Sequence, residues 1–309
     1  MLLEEAERRP FRGIVGTLGK QRVFATHRQL RQAFAHAGSA PSRSFPDDNA
    51  IADDVTLLEN LGFEKAESLD YSDYEGADQI IDLNSGALPD HLRERYDVLL
   101  DSGTIEHVFH VPNALANIHN MVKTGGRIIF IAPSSNHMEH GFYMFSPTFF
   151  HDYYKANGLR IDAIYVVRYR PEGGPWHVYE YSPIAWEQFQ MGGLDRHAYA
   201  VFLVATKTPG SRCDVIPQQG FYADNSSQYA GSQLAGARLA DDTGIPSANV
   251  EAANASPYSP KVQALRRVLR HVPGLRRLMR FAQWLTFRLG IDLRFGQRHT
   301  PYPKLRGRY

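Results

Sequence analysis

Residues 96–132 constrain the fold more than any other stretch. Tyr96–Leu100 (YDVLL) reads as an apolar strand, Pro112–Val122 carries a helical pattern, Gly125-Gly126 stops it, and Arg127–Ala132 (RIIFIA) is a second apolar strand. Two strands joined through one helix run parallel, and parallel strands need both faces covered. The same alternation runs along the chain to about residue 208. Further strands are expected at Gly13–Val15, Ala66–Leu69, Ala77–Leu83, Leu159–Tyr169 and Ala198–Thr206, and further helices at Thr26–Ala37, Ala52–Leu61 and Pro147–Ala156. The predicted architecture is an α/β doubly wound, mostly parallel sheet of seven strands over residues 1–208.

Composition bounds the rest. With 43% apolar and 22% charged residues in 309, the chain is that of a globular protein rather than a collagen, a rod or a disordered polymer. One cysteine, Cys213, excludes an internal disulfide framework and any multi-cysteine metal site, which points to a reducing, cytoplasmic setting. No run of about 18 apolar residues predicts a membrane span. The opening MLLEEAERRPFRG lacks the apolar core of a signal peptide.

Charge divides the chain unevenly. Residues 261–309 hold 13 Lys and Arg against one acid, Asp292, a formal +12, which leaves −11 on the preceding residues at the whole-chain value of +1. Residues 209–260 are rich in Ser, Gly, Ala, Asn and Gln and read as a disordered linker. The segment 261–309 reads as a basic amphipathic helical tail, with Leu275, Leu278, Met279, Ala282, Leu285 and Leu289 at helical spacing. Such a tail suits peripheral binding to an anionic membrane surface, at the inner face, or docking on the acidic body. Its arginines alternate with large aliphatic side chains instead of forming a stacking platform, which argues against nucleic acid.

A doubly wound sheet binds its ligand beyond the carboxyl ends of its strands, where the strand order reverses, so the loops after each strand carry the candidate site. Gly16 and Gly19 follow the first strand and can let backbone amides approach a ligand. Asp70, after the second, can accept both hydroxyls of a ribose, with Asp73 as a substitute. Asp82 and Leu83 follow the third, placed to read an adenine edge. Asp101, Ser102, Gly103 and Thr104 follow the fourth, and then come Glu106 and His107. His137, His140, Phe142 and Tyr143 lie beyond the fifth.

The segments YDVLLDSGTIEHV (96–108) and NALANIHNMVKTGGRIIFIAPS (113–134) resemble the fourth strand, Glu-His turn, helix, Lys-x-Gly-Gly turn and fifth strand of the class I S-adenosylmethionine-dependent methyltransferases. Residues 66–133 carry the resemblance, and the first-strand loop GTLGKQ stands where the family has an acid followed by Gly-x-Gly-x-Gly. HGFYMFSPTFFHDYY (140–154) further resembles a subgroup associated with bacterial surface-polysaccharide gene clusters. The resemblance implies a Rossmann-like fold and S-adenosyl-L-methionine as cofactor. Asp70 would then hold the ribose, Asp82 and Leu83 the adenine, and Asp101–Thr104 the far side, with Gly16 and Gly19 admitting the cofactor. It implies methyl transfer to a hydroxyl or similar nucleophile on a saccharide or small metabolite. His140, His107 and Glu106 are the candidate bases, and His137, Phe142 and Tyr143 the acceptor wall.

Two alternatives stay open. The altered glycine motif is compatible with a methyltransferase-like module that binds or assembles without catalysing. The histidines around 137–140 match neither H-E-x-x-H nor H-x-x-E-H, and no metal ligand set is assigned from them.

Overall fold

The computed structural model describes residues 1–220, except Ile184, Glu187, Gln188 and Met191, together with residues 305–308. The expected helical character of 261–304, and the linker beyond 220, lie outside the described residues. The described elements run α1 (Leu2–Arg8), β1 (Ile14–Leu18), α2 (His27–Ala37), α3 (Asp54–Asn60), β2 (Lys65–Asp70), β3 (Gln79–Ile80), β4 (Tyr96–Asp101), α4 (Val111–Met121), β5 (Val122–Ser135), α5 (Pro147–Ala156), β6 (Arg160–Tyr169), β7 (His177–Glu180), β8 (Ala198–Thr206) and β9 (Leu305–Arg308).

One sheet takes the order β3-β2-β1-β4-β5-β8-β6-β7-β9. The pairs from β3 to β5 are parallel. The pairs from β5 to β9 are antiparallel, because β8 runs back between β5 and β6 and β7 runs back against β6. The sheet therefore has nine described strands, not the seven expected. The extra two are β7, a short strand paired on both sides, and β9, the edge strand, which comes from residues read in the sequence as helical tail. Arg306 of β9 stacks over the Tyr165 ring at 4.3 Å and lies 3.9 Å from Glu4.

Alternation along the central strands shows why both faces had to be covered. Leu99, Ile128, Phe130, Val201, Leu203 and Ala205 point to one face, against Leu115 and Ile118 of α4 and Phe150 and Tyr154 of α5. Val98, Leu100, Ile129, Ala200, Phe202 and Val204 point to the other, against Leu30 and Phe34 of α2 and Leu58 of α3. Each fully buried Leu or Phe contributes about 1.5–3 kcal/mol. Local signals set the helix ends. Thr26 caps α2 in a reciprocal box with Gln29, and Gly38 ends it at φ +73°. Ser146 caps α5 immediately before Pro147.

Three departures from the sequence reading have physical causes. The strand expected over Ala77–Leu83 shrinks to two residues, since β3 is a sheet edge whose Ile80 is exposed. α1 forms unforeseen and docks through a buried ion pair, Arg127 Nη1 donating to Glu5 Oε1 at 2.9 Å while the guanidinium stacks on Phe11. Residues 209–220, read as the start of the linker, are tied to α4 and α5. Ser211 Oγ bonds His119 at 3.0 Å, Tyr153 donates to the Cys213 carbonyl at 2.9 Å, Asn157 to that of Val215 at 3.0 Å, and the Gly220 amide to Asp152 at 2.7 Å.

Gly16 is a correction at the level of packing. It lies inside β1, and a Cβ there would sit 2.9 Å from the ring of Tyr96, a fully buried side chain whose hydroxyl donates to Glu67 at 3.1 Å. The absence of a side chain at this glycine makes room for that ring. Gly16→Ala is expected to destabilise the protein by about 1–3 kcal/mol, the usual cost of overpacking. Denaturant unfolding measures it, and an unchanged midpoint would show that the ring can yield.

Candidate functional site

The strand order reverses between β1 and β4, whose carboxyl ends meet in register at Leu18 and Asp101. Gly19 turns the chain out of β1 at φ +70°, and its amide donates to the Leu69 carbonyl of β2 at 2.7 Å. Thr104 Oγ1 donates to the Leu18 carbonyl at 2.8 Å and would lie 3.1 Å from a Cβ at Gly19. The loops after β1 and β4 are thus laced together, and a side chain at Gly19 would be crowded by Thr104 and strained by the positive φ.

Asp70 is the last residue of β2 and partly exposed. Its Oδ1 accepts the Tyr71 amide at 2.6 Å and that of Ser72 at 3.4 Å, and its Oδ2 takes no hydrogen bond among the described residues. Asp82 lies beyond β3, exposed, with Oδ1 accepting from the Asn84 amide at 2.9 Å. The Leu83 side chain is buried in the core below α4, which leaves only its backbone for a ligand. Asn84 joins this loop to α4 by accepting the His110 amide at 3.0 Å.

Asp101 also takes a different part from the one expected of it. Its carboxylate is buried and accepts three consecutive backbone amides, Gly103 at 3.1 Å, Thr104 at 2.8 Å and Ile105 at 3.0 Å. That arrangement shapes the turn after β4 and uses the side chain internally. Burial pushes its carboxyl up to about 7 against the pull of those amides. Ser102 stays exposed on the same turn.

The turn delivers Glu106, whose side chain is 0% exposed and whose two oxygens find no hydrogen-bond partner among the described residues. His140 Nε2 lies 3.3 Å from Glu106 Oε1 and His107 Nε2 lies 4.0 Å from it, each histidine about half exposed. The loop after β5 closes over this turn. The Phe142 amide donates to the Glu106 carbonyl at 2.8 Å, and a Cβ at Gly141 would come within 2.9 Å of that carbonyl. The structure therefore brings all three candidate bases together. His137 backs them, its ring 5.4 Å from that of His140, and burial lowers its pKa. Tyr169 of β6, which sequence reasoning missed, shares a 3.2 Å hydrogen bond with His137, and burial raises its phenol pKa. A tyrosine 32 residues from its histidine partner leaves no local pattern to read. Phe142 is exposed and meets Phe109 edge-on at 5.6 Å. Tyr143 packs against the core, with its hydroxyl on the Phe109 carbonyl at 2.8 Å.

No protein-family profile and no curated protein matches this sequence. Solved structures align at low similarity. The YcgJ protein of Bacillus subtilis is 12% identical, with 68% of this chain and 97% of that one covered, at a TM-score of 0.37. TehB of Haemophilus influenzae is 12% identical, over 67% of this chain and 61% of that one, at 0.35. A Burkholderia thailandensis 1,6-didemethyltoxoflavin-N1-methyltransferase, solved with S-adenosylhomocysteine, is 12% identical over 67% and 77%, at 0.33.

Asp101→Ala strands three amides, each worth about 1–3 kcal/mol when a buried partner is lost. A loss of at least about 2 kcal/mol in unfolding free energy is expected from denaturant titration. An unaltered stability would mean that the turn after β4 holds its shape without the carboxylate.

Proposed function

We propose that the chain is an S-adenosylmethionine-dependent methyltransferase acting on a hydroxyl or similar nucleophile of a small molecule or saccharide. The observation that carries the reading is the pairing of Asp70, with a free carboxylate oxygen at the tip of β2, with the tight Gly19 turn at the point of strand reversal. The residues fit the cofactor at that end. A ribose offers two hydroxyl donors to the unbonded Oδ2 of Asp70, and the positive φ of Gly19 keeps a side chain out of the approach. Asp82 is exposed beside it on the β3 loop.

When bound, the cofactor would supply a sulfonium methyl group for transfer to the nucleophile. The work left to the protein is positioning and care of one proton. Thr104 fixes the β4 loop against β1, and the turn it anchors carries Glu106 and His107, with His140 Nε2 3.3 Å from the Glu106 carboxylate. A nucleophilic hydroxyl must lose its proton as it attacks, and this cluster is the group of the site able to promote that loss. Exposed Phe109, Phe142 and Met144 offer an apolar rim to the acceptor. The second reading, a module that binds without catalysing, is favoured by the absence of a multi-glycine loop after β1.

Calorimetric titration with S-adenosylhomocysteine is expected to show saturable binding that Asp70→Ala abolishes while thermal unfolding stays nearly unchanged. No saturable heat from the wild-type chain would end the methyltransferase reading. Glu106→Gln is expected to retain S-adenosylhomocysteine binding and to lower kcat on any identified acceptor by about 10²–10⁴-fold. Full turnover in that variant would assign the proton to another group.

A further inference from the structure

The Glu106 carboxylate raises a physical question apart from methyl transfer. An ionised carboxylate removed from water costs several kcal/mol unless something compensates it. Among the described residues neither oxygen is hydrogen-bonded, although the main chain around it is pinned by Phe142 and crowded by Gly141. What the carboxylate faces is two imidazoles. The ligating atoms of Glu106, His107 and His140 all lie within 4.8 Å of one another.

We infer that Glu106, His107 and His140 form a binding site for one divalent transition-metal ion of the Zn²⁺ type. Bonds of about 2.0–2.1 Å at tetrahedral angles place donor atoms roughly 3.3–3.4 Å apart. The Glu106–His140 pair already has a separation of 3.3 Å, and the Glu106–His107 pair, at 4.0 Å, needs only a small swing of a half-exposed ring. One carboxylate oxygen and two imidazole nitrogens suit zinc and its first-row neighbours, whereas Mg²⁺ and Ca²⁺ select all-oxygen sets. Three protein ligands leave a position open, and the half-exposed faces of both histidines set that opening toward solvent. The buried carboxylate, which has no hydrogen-bond partner among the described residues, gains the cation that its burial calls for.

The spacing in sequence hides such a site. His107 and Glu106 come from the turn after β4, and His140 comes from the loop after β5, so no short motif spans the three. The inference stands whether or not the chain transfers methyl groups. In a methyltransferase, an ion here would hold the acceptor's hydroxyl oxygen and make its proton more acidic.

The test uses the full-length chain stripped with a chelator and titrated with Zn²⁺ by calorimetry, with Co²⁺ as a spectroscopic probe. One equivalent of Zn²⁺ is expected to bind and to raise the thermal midpoint, and Co²⁺ to give the visible absorption of a four-coordinate site. His107→Ala and His140→Ala, at half-exposed positions and checked for folding by circular dichroism, are each expected to weaken Zn²⁺ binding by more than about 100-fold. That is the upper end of the loss seen when only an outer-shell partner is removed. His91→Ala and His110→Ala, outside the cluster, are expected to leave binding unchanged. Two results overturn the site: no saturable Zn²⁺ binding by the wild-type chain, or equal affinity in the His107→Ala/His140→Ala double variant. The first would leave Glu106 and His140 as a contact within the protein alone, and the second would place the ion on other histidines. S-adenosylhomocysteine titration of the same samples reports separately on the methyltransferase reading.

Discussion

Two-sided burial of the central strands governs everything else in this molecule. β1, β4, β5 and β8 send successive side chains alternately into two apolar layers, and both layers are sealed by helices. Such strands have no face left for polar chemistry, so functional groups collect where the strands end. The turn after β4 exemplifies this. It begins with a carboxylate consumed by three backbone amides and ends, five residues later, with a carboxylate that has none. The first makes a shape, and the second is left, among the described residues, facing two imidazoles.

Much of the framework was legible because strong local signals coincide with the tertiary environment. α5 and β8 occupy the residues expected of them, since Ser146-Pro147 marks a start and AYAVFLVAT is too apolar to sit anywhere but inside. The loops beyond the strands were legible for the same reason, and they do hold the titratable cluster. Illegible features depend on partners distant in sequence. α1 is a charged heptapeptide until Arg127 reaches Glu5 across 122 residues. β3 looked like an interior strand by composition and proved to be an edge.

Residue roles were less legible than residue positions, and for a definite reason. Gly16, Leu83 and Asp101 sit near the places expected of them, yet each is taken up by the fold: one accommodates Tyr96, one fills the core, and one caps a turn. A glycine, an apolar residue or an acid after a strand has the same one-letter appearance whether it serves a ligand or a neighbour. Glu106 gave no sign in sequence of being buried without a partner, because its burial is imposed by a loop more than 30 residues further on.

The pairing of β9 with β7 draws residues 305–308 back to the sheet that residues 1–220 build. Both ends of the intervening stretch are thereby moored to one scaffold, which turns a tail in the linear sequence into a loop in the topology. Shortening the chain before residue 305 would do more than discard basic charge. It would uncover the outer amides and carbonyls of β7, an open seam at which a second chain can add its own strand.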